Sequence, residues 1–178
     1  MREIILITVT GRDRPGLTAQ ITEILARHHL NVLDIGQTVI HKSLSLGILV
    51  DVPRESESSP ILKDLLFSTM DLDISVKFRP VTPKSYATWV QGQGQAGYTL
   101  TLLARKITAV HIAAVTKVIF DSGLNIDNID RLSGRTPLDV DEDNSTRSCV
   151  EFSVRGEPDD LQLMRTKFMT LAAEQNID

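Results

Sequence analysis

The chain repeats one order of elements. A strand, helix, strand, strand, helix, strand pattern runs from Met1 to Arg79 and restarts at Tyr98, and a shift of 94 positions lays Asn31 on Asn125, Leu30 on Leu124, Ile35 on Ile129 and Ala19 on Ala113. A repeat of this period constrains the fold strongly, because each copy must be a supersecondary unit with an apolar face to cover. The second copy stops at Asn176-Ile177-Asp178, where the first, at Asp71-Leu72-Asp73-Ile74, is only entering its last strand. The expectation is two small domains, residues 1–80 and 98–178, joined by a linker over 81–97, with the second lacking most of its last strand and a further segment downstream.

Element boundaries follow from periodicity and turn chemistry. Glu3 to Thr10 is a β-branched run that reads as a central strand. Asp13-Arg14-Pro15-Gly16 ends it, and Leu17, Ile21, Ile24, Leu25 and His28 recur at helical spacing. Pro15 lacks an N–H and Asp13 is a capping residue type, so a helix is expected to open there. Asn31 to Lys42 and Leu44 to Val52 alternate as two strands around a turn at His41-Lys42-Ser43. Ser59-Pro60 opens a second helix with Leu62, Leu65, Leu66 and Met70 expected inward. Leu72, Ile74, Val76 and Phe78 mark the fourth strand.

Right-handed crossovers place both helices of such a βαββαβ unit on one face of an antiparallel sheet ordered 4-1-3-2, an α+β, ferredoxin-like fold. Strand two is then an edge, open to pairing with another strand. The second copy reads as a strand over Tyr98–Ala104, a helix over Thr108–Asp121 and strands over Asn125–Leu132 and Thr146–Arg155. A helix over Pro158–Gln175 closes it, with Leu161, Met164, Phe168 and Leu171 inward. Between the copies, Tyr86 and Trp89 are costly to leave in water, which predicts an ordered linker.

Composition narrows the function classes. A net charge of −4 and a pI near 5.6 give no basic footprint for nucleic acid. No apolar run reaches the ~20 residues of a membrane span, and Met1 leads directly into a strand, so neither a membrane segment nor a signal peptide is expected. One cysteine, Cys149, excludes an internal disulfide and suits a cytoplasmic protein.

Gly11-Arg12-Asp13-Arg14-Pro15-Gly16-Leu17 carries the strongest local signal. A helix start offers unpaired N–H groups at the positive end of its dipole, which suits a carboxylate; the same residues also serve for capping alone. This motif after ILITVT, with Asn31-Val32-Leu33-Asp34-Ile35 beyond the helix, resembles the ACT domain, a small-ligand sensor that binds amino acids between paired domains. With Leu124-Asn125-Ile126-Asp127 and Cys149 to Gly156 in the second copy, the chain is similar to the N-terminal regulatory part of bacterial phosphoserine phosphatases.

The resemblance implies that L-serine or glycine is bound by Asp13, Arg14, Pro15, Gly16 and Leu17 of one domain facing Asn31, Leu33 and Asp34 of another. Thr108, Asn125 and Asp127 are weaker candidates in the second copy, whose loop, Ala104 to Ala109, lacks the Asp, Pro and Gly. It further implies a homodimer through sheet edges or helices and, in a catalytic domain beyond this chain, Mg²⁺-dependent hydrolysis of O-phospho-L-serine. No catalytic residue and no cofactor is expected in the chain itself. A stand-alone regulator similar to the glycine-cleavage transcriptional repressor and a purely structural dimerisation module are the alternatives.

Two motifs read as decoys. Gly92-Gln93-Gly94-Gln95-Ala96-Gly97 matches G-x-G-x-x-G but opens a strand, where the dinucleotide fingerprint must open a helix. Asp139-Val140-Asp141-Glu142-Asp143 has the spacing of a phosphatase nucleophile loop without the apolar strand that must lead into it. His28, His29, His41 and His111 share no metal-ligand spacing.

Overall fold

The computed structural model describes residues 3–53, 58–135 and 147–178. The chain divides into two units, Met1–Gln91 and Gly92–Asp178. The acidic run 139–143 lies outside the described residues.

Unit one contains β1 (Glu3–Arg12), α1 (Leu17–Arg27), β2 (Asn31–Ile40), β3 (Ser43–Val52), α2 (Ser58–Thr69), β4 (Ile74–Val81) and the start of α3 (Pro83–Gly92). Its sheet is antiparallel in the order β2-β3-β1-β4, the expected order read from the other edge. Ile5, Ile7 and Val9 of β1 join Leu44, Leu46, Ile48 and Val50 of β3 in one core with Ile21, Ile24 and Leu25 of α1. The period-two and period-3.6 patterns thus converge on a single apolar layer.

Two expectations need correction here. Strand β1 runs two residues past Thr10, with Gly11 opposite both Leu44 and Ile74 and Arg12 opposite Ser43. Only glycine fits that crossing: a Cβ on Gly11 would stand 2.6 Å from the Asp73 carbonyl oxygen and 2.7 Å from the Ile74 Cα. In α2, Ile61, Leu65 and Thr69 are buried, whereas Leu66, and Met70 just past the helix, face solvent. Thr69 reads as polar but satisfies its hydroxyl on the Leu65 carbonyl at 2.7 Å, so the buried stripe falls one position away from the leucine-rich one. The segment read as an ordered linker contains a helix, α3, whose start is capped by the Thr82 hydroxyl accepting from Ser85 N–H at 3.1 Å.

Unit two contains β5 (Gly97–Ala104), α4 (Ala109–Asp121), β6 (Asn125–Arg131), β7 (Ser148–Arg155) and α5 (Leu161–Gln175), with the sheet order β5-β7-β6. Its core gathers around Phe152, Ile119, Val154 and Met164. Leu161 was expected inward but is partly exposed at the first position of α5, where Asp160 caps the helix by accepting from Leu163 N–H at 2.9 Å. Both copies carry a register shift at the same place, between Val32 and Asp34 and between Ile126 and Asn128, so the repeat extends to a β-bulge.

The edge of β5 away from β7 carries one backbone pairing in unit two. Leu103 and Asp178 exchange both backbone hydrogen bonds, Leu103 N–H to Asp178 C=O at 2.7 Å and the reverse at 2.9 Å. Beyond that pair a cavity of about 110 Å³ opens among Leu100, Leu102, Phe152, Phe168, Leu171 and Ile177. In unit one the equivalent side of the core is closed by Ile74, Val76 and Phe78 of β4.

Candidate functional site

The start of α1 is built differently from that of α4. Gly16 is the N-cap of α1 with φ 85°, a left-handed conformation, and no side chain caps the helix. Asp13, expected as the cap, instead uses its backbone N–H to bond the Lys42 carbonyl at 2.9 Å, and Pro15 lies in the turn before the helix. The turn is closed by Leu17 N–H to the Arg14 carbonyl at 3.3 Å. Among the described residues the next two N–H groups, of Thr18 and Ala19, have no acceptor. They face solvent at the positive end of the helix dipole.

The side chains around this opening are cationic and unpaired. Arg12, Arg14 and Lys42 are exposed and, among the described residues, make no ion pair. Asp13 is exposed beside them, the only carboxylate of the loop. Thr18 turns its hydroxyl away, donating to Gln37 Oε1 at 2.6 Å and tying α1 to β2. The loop therefore combines free donors, three cations and one acceptor, a set that fits a carboxylate with an ammonium group close by.

The second copy has a side-chain cap at the same position. Thr108 is the N-cap of α4: its hydroxyl accepts from His111 N–H at 3.4 Å while His111 Nδ1 accepts from Thr108 N–H at 3.3 Å. This reciprocal capping box gives the third N–H of α4 a side-chain acceptor, which α1 lacks. Asn125 donates to Asp127 Oδ1 at 3.3 Å, and Asp127 forms a two-point ion pair with Arg155, at 2.6 and 2.8 Å. The Arg155 guanidinium, hydrogen-bonded to the carboxylate, holds Asp127 below the ordinary aspartate range, and Asp127 raises Arg155 in turn. Thr108, Asn125 and Asp127 are thus engaged in structural bonds.

Not all residues expected at the site meet in one copy. Asp13, Arg14, Pro15, Gly16 and Leu17 are contiguous at one end of the sheet, while Asn31 opens β2 at the other end, opposite Asp51. Leu33 sits in the bulge, half-buried, and Asp34 projects from the sheet face opposite the helices, in line with Leu49. Between these ends β2 offers an exposed edge with Val32, Ile35 and Ile40 largely accessible and Asp34 its only charge. Lys42 was not among the expected residues, because its nearness to Asp13 depends on the β2–β3 turn meeting the end of β1.

The histidines serve the scaffold. His28 bonds Asp64 at 2.8 Å, linking α1 to α2, His111 completes the capping box, and His29 and His41 occupy left-handed turn positions. Among the described residues no group of three His, Cys, Asp or Glu converges on a metal position. The glycine string from Gly92 runs from the end of α3 to the start of β5, so no helix start follows it. No helix among the described residues is long and apolar enough to cross a membrane.

The strand order and helix placement define the first unit as a ferredoxin-like α+β domain. Residues 3–79 match the ACT domain family model, and the first unit belongs to that family. The chain is 33% identical over 132 residues to phosphoserine phosphatase SerB2 of Mycobacterium tuberculosis, covering 72% of this chain and 31% of that protein. It is 31% identical over 181 residues to phosphoserine phosphatase of Streptomyces coelicolor, covering 98% of this chain and 38% of that protein. The chain therefore spans about a third of the length of these relatives. A solved structure described as a putative glycine cleavage system transcriptional repressor superposes on the whole chain and on 95% of its own, with a TM-score of 0.66 at 13% identity. That likeness shows that both units share the ACT fold.

Proposed function

We propose that the chain is an amino-acid-sensing tandem ACT module belonging to a phosphoserine phosphatase, and that its ligand, L-serine or glycine, binds between two copies of unit one. One observation carries this reading: the loop at Asp13 and the β2 residue Asn31 stand at opposite ends of one sheet, separated by the exposed edge of β2. Antiparallel pairing of two β2 edges about a two-fold axis sets Asn31 of each copy beside the Asp13 loop of the other. The N–H groups of Thr18 and Ala19 then receive the ligand carboxylate, and Asp13 with Asn31 of the other copy receives the ammonium.

Ligand binding that requires both copies favours the paired arrangement over any other, and this differential affinity is what a regulatory module transmits. The phosphatase assignment rests on sequence identity along nearly the whole chain. The repressor-like alternative rests on fold alone. In such a phosphatase Mg²⁺ and the aspartyl-phosphate chemistry belong to the catalytic region, outside this chain.

Titration calorimetry of the chain with L-serine and glycine tests the reading. Saturable heat from one of them, abolished by Asp13→Ala and by Asn31→Ala, is the expected result. No heat from any of a panel of amino acids overturns it and leaves a structural dimerisation module.

A further inference from the structure

The face of the unit-one sheet that the core helices leave bare holds a second built site. Cross-strand register aligns four residues in a single row: Asp34 on β2 lies opposite Leu49 on β3, Leu49 opposite Leu6 on β1, and Leu6 opposite Arg79 on β4. All four line one side of a slot of about 270 Å³, whose other side carries Ser85, Tyr86 and Trp89 of α3. The two rings stand 5.8 Å apart, tilted by 37°. The slot thus has a leucine floor, an aromatic roof, a carboxylate at one end and a guanidinium at the other.

The polar groups of this slot lack partners. Among the described residues the Arg79 guanidinium makes no hydrogen bond or ion pair, nor do the Tyr86 hydroxyl or the Trp89 indole N–H, and the Asp34 carboxylate accepts only from the neighbouring Ile35 N–H at 3.0 Å. Three strand spacings of about 4.8 Å set the Asp34 and Arg79 Cα atoms about 14 Å apart, so the two charges do not satisfy each other. A ligand that satisfies both must carry its charges at opposite ends of an apolar body. An α-amino acid, with ammonium and carboxylate on one carbon, does not span them.

The geometry points to a binding site for a short ω-amino-acid-type zwitterion, its carboxylate on Arg79, its ammonium on Asp34 and its apolar body between the leucines and the rings of Tyr86 and Trp89. The site is separate from the Asp13 loop, which lies beyond the far end of β1. Trp89 is the chain's sole tryptophan and reports on the slot directly.

The test is a fluorescence titration of the full 178-residue chain with ε-aminocaproate. A saturable change in Trp89 emission is expected, with affinity lowered about tenfold or more in Arg79→Ala and in Asp34→Asn and largely retained in Arg79→Lys. Caproate and n-hexylamine, each lacking one charge, should bind correspondingly more weakly, and saturating L-serine should leave the titration unchanged. Arg79 is exposed, so its substitution leaves the fold intact, which circular dichroism checks. No saturable change, an unaltered affinity in Arg79→Ala, or caproate binding as tightly as the zwitterion overturns the assignment.

Discussion

Asp13 and Asn31 lie at opposite ends of the same four-stranded sheet. Asp13 follows the row in which Arg12 faces Ser43, whereas Asn31 faces Asp51 in the row of Ile4. Eight residues of strand, at about 3.4 Å each, hold the two rows about 27 Å apart. The two residues can therefore bind one small ligand only if they come from different domains.

Capping and ligand binding separate cleanly by substitution. Thr108→Ala removes the N-cap of α4 and should cost about 1 kcal/mol of stability in denaturant unfolding. Asp13→Ala removes no cap, since only the Asp13 backbone is bonded, and should stay within about 0.5 kcal/mol of wild type. Amino-acid binding should show the reverse order, unchanged in Thr108→Ala and lost in Asp13→Ala. Equal destabilisation by both variants would make the Asp13 loop a capping device.

The open edge of β2 makes a prediction about assembly. Ile40 is 70% exposed at the end of that strand, so Ile40→Lys should leave unit one folded while placing a charge on the edge. Sedimentation velocity should show a shift from dimer toward monomer, with a parallel loss of amino-acid affinity. A variant that stays dimeric and binds normally would place the pairing surface elsewhere.

The edge of β5 away from β7 should be visible by amide exchange. On an antiparallel strand the N–H and C=O of a residue face the same neighbour and alternate along the chain. Because Leu103 faces Asp178, Thr101 and Thr99 face the same edge, beyond the last pair. Their amides should exchange faster than those of Ile7 and Ile5, their counterparts on β1, which is flanked by β3 and β4. Equal protection would mean that another segment already covers this edge.

Asp127 gives unit two an acid-sensitive element. Its folded-state value is depressed below 3.8 by Arg155, so the ion pair contributes stability fully above the unfolded value and loses it as pH falls through the folded one. Asp127→Asn should be less stable than wild type at neutral pH, and the gap should close as the pH drops from about 4 into the strongly acidic range. A gap independent of pH would mean that the pair contributes through packing alone.

Much of the fold is legible in sequence because the repeat is. Apolar alternation in Leu44 to Val52 and the helical spacing of Leu17, Ile21, Ile24 and Leu25 translate directly into one buried layer. What periodicity misses is set by contacts distant in sequence. Thr69 is buried because its hydroxyl finds a carbonyl one turn back, and Gly11 is needed because β4 crosses within van der Waals distance of it.

The site divides in the same way. Gly16 and the loop chemistry are local and readable, and the absence of that chemistry around Thr108 is readable too. The separation of Asp13 from Asn31, and the row from Asp34 to Arg79, exist only through strand register, which no spacing along the chain reveals.

The most direct test of a site shared between two copies is complementation, measured by calorimetry with the amino acid that binds wild type. Asp13→Ala and Asn31→Ala chains should each bind nothing alone. Mixed, unfolded and refolded together, they should recover about one quarter of the sites, because half of the randomly formed dimers carry one intact site of two. A mixture as silent as its parts, or either variant binding alone, would contradict the shared site.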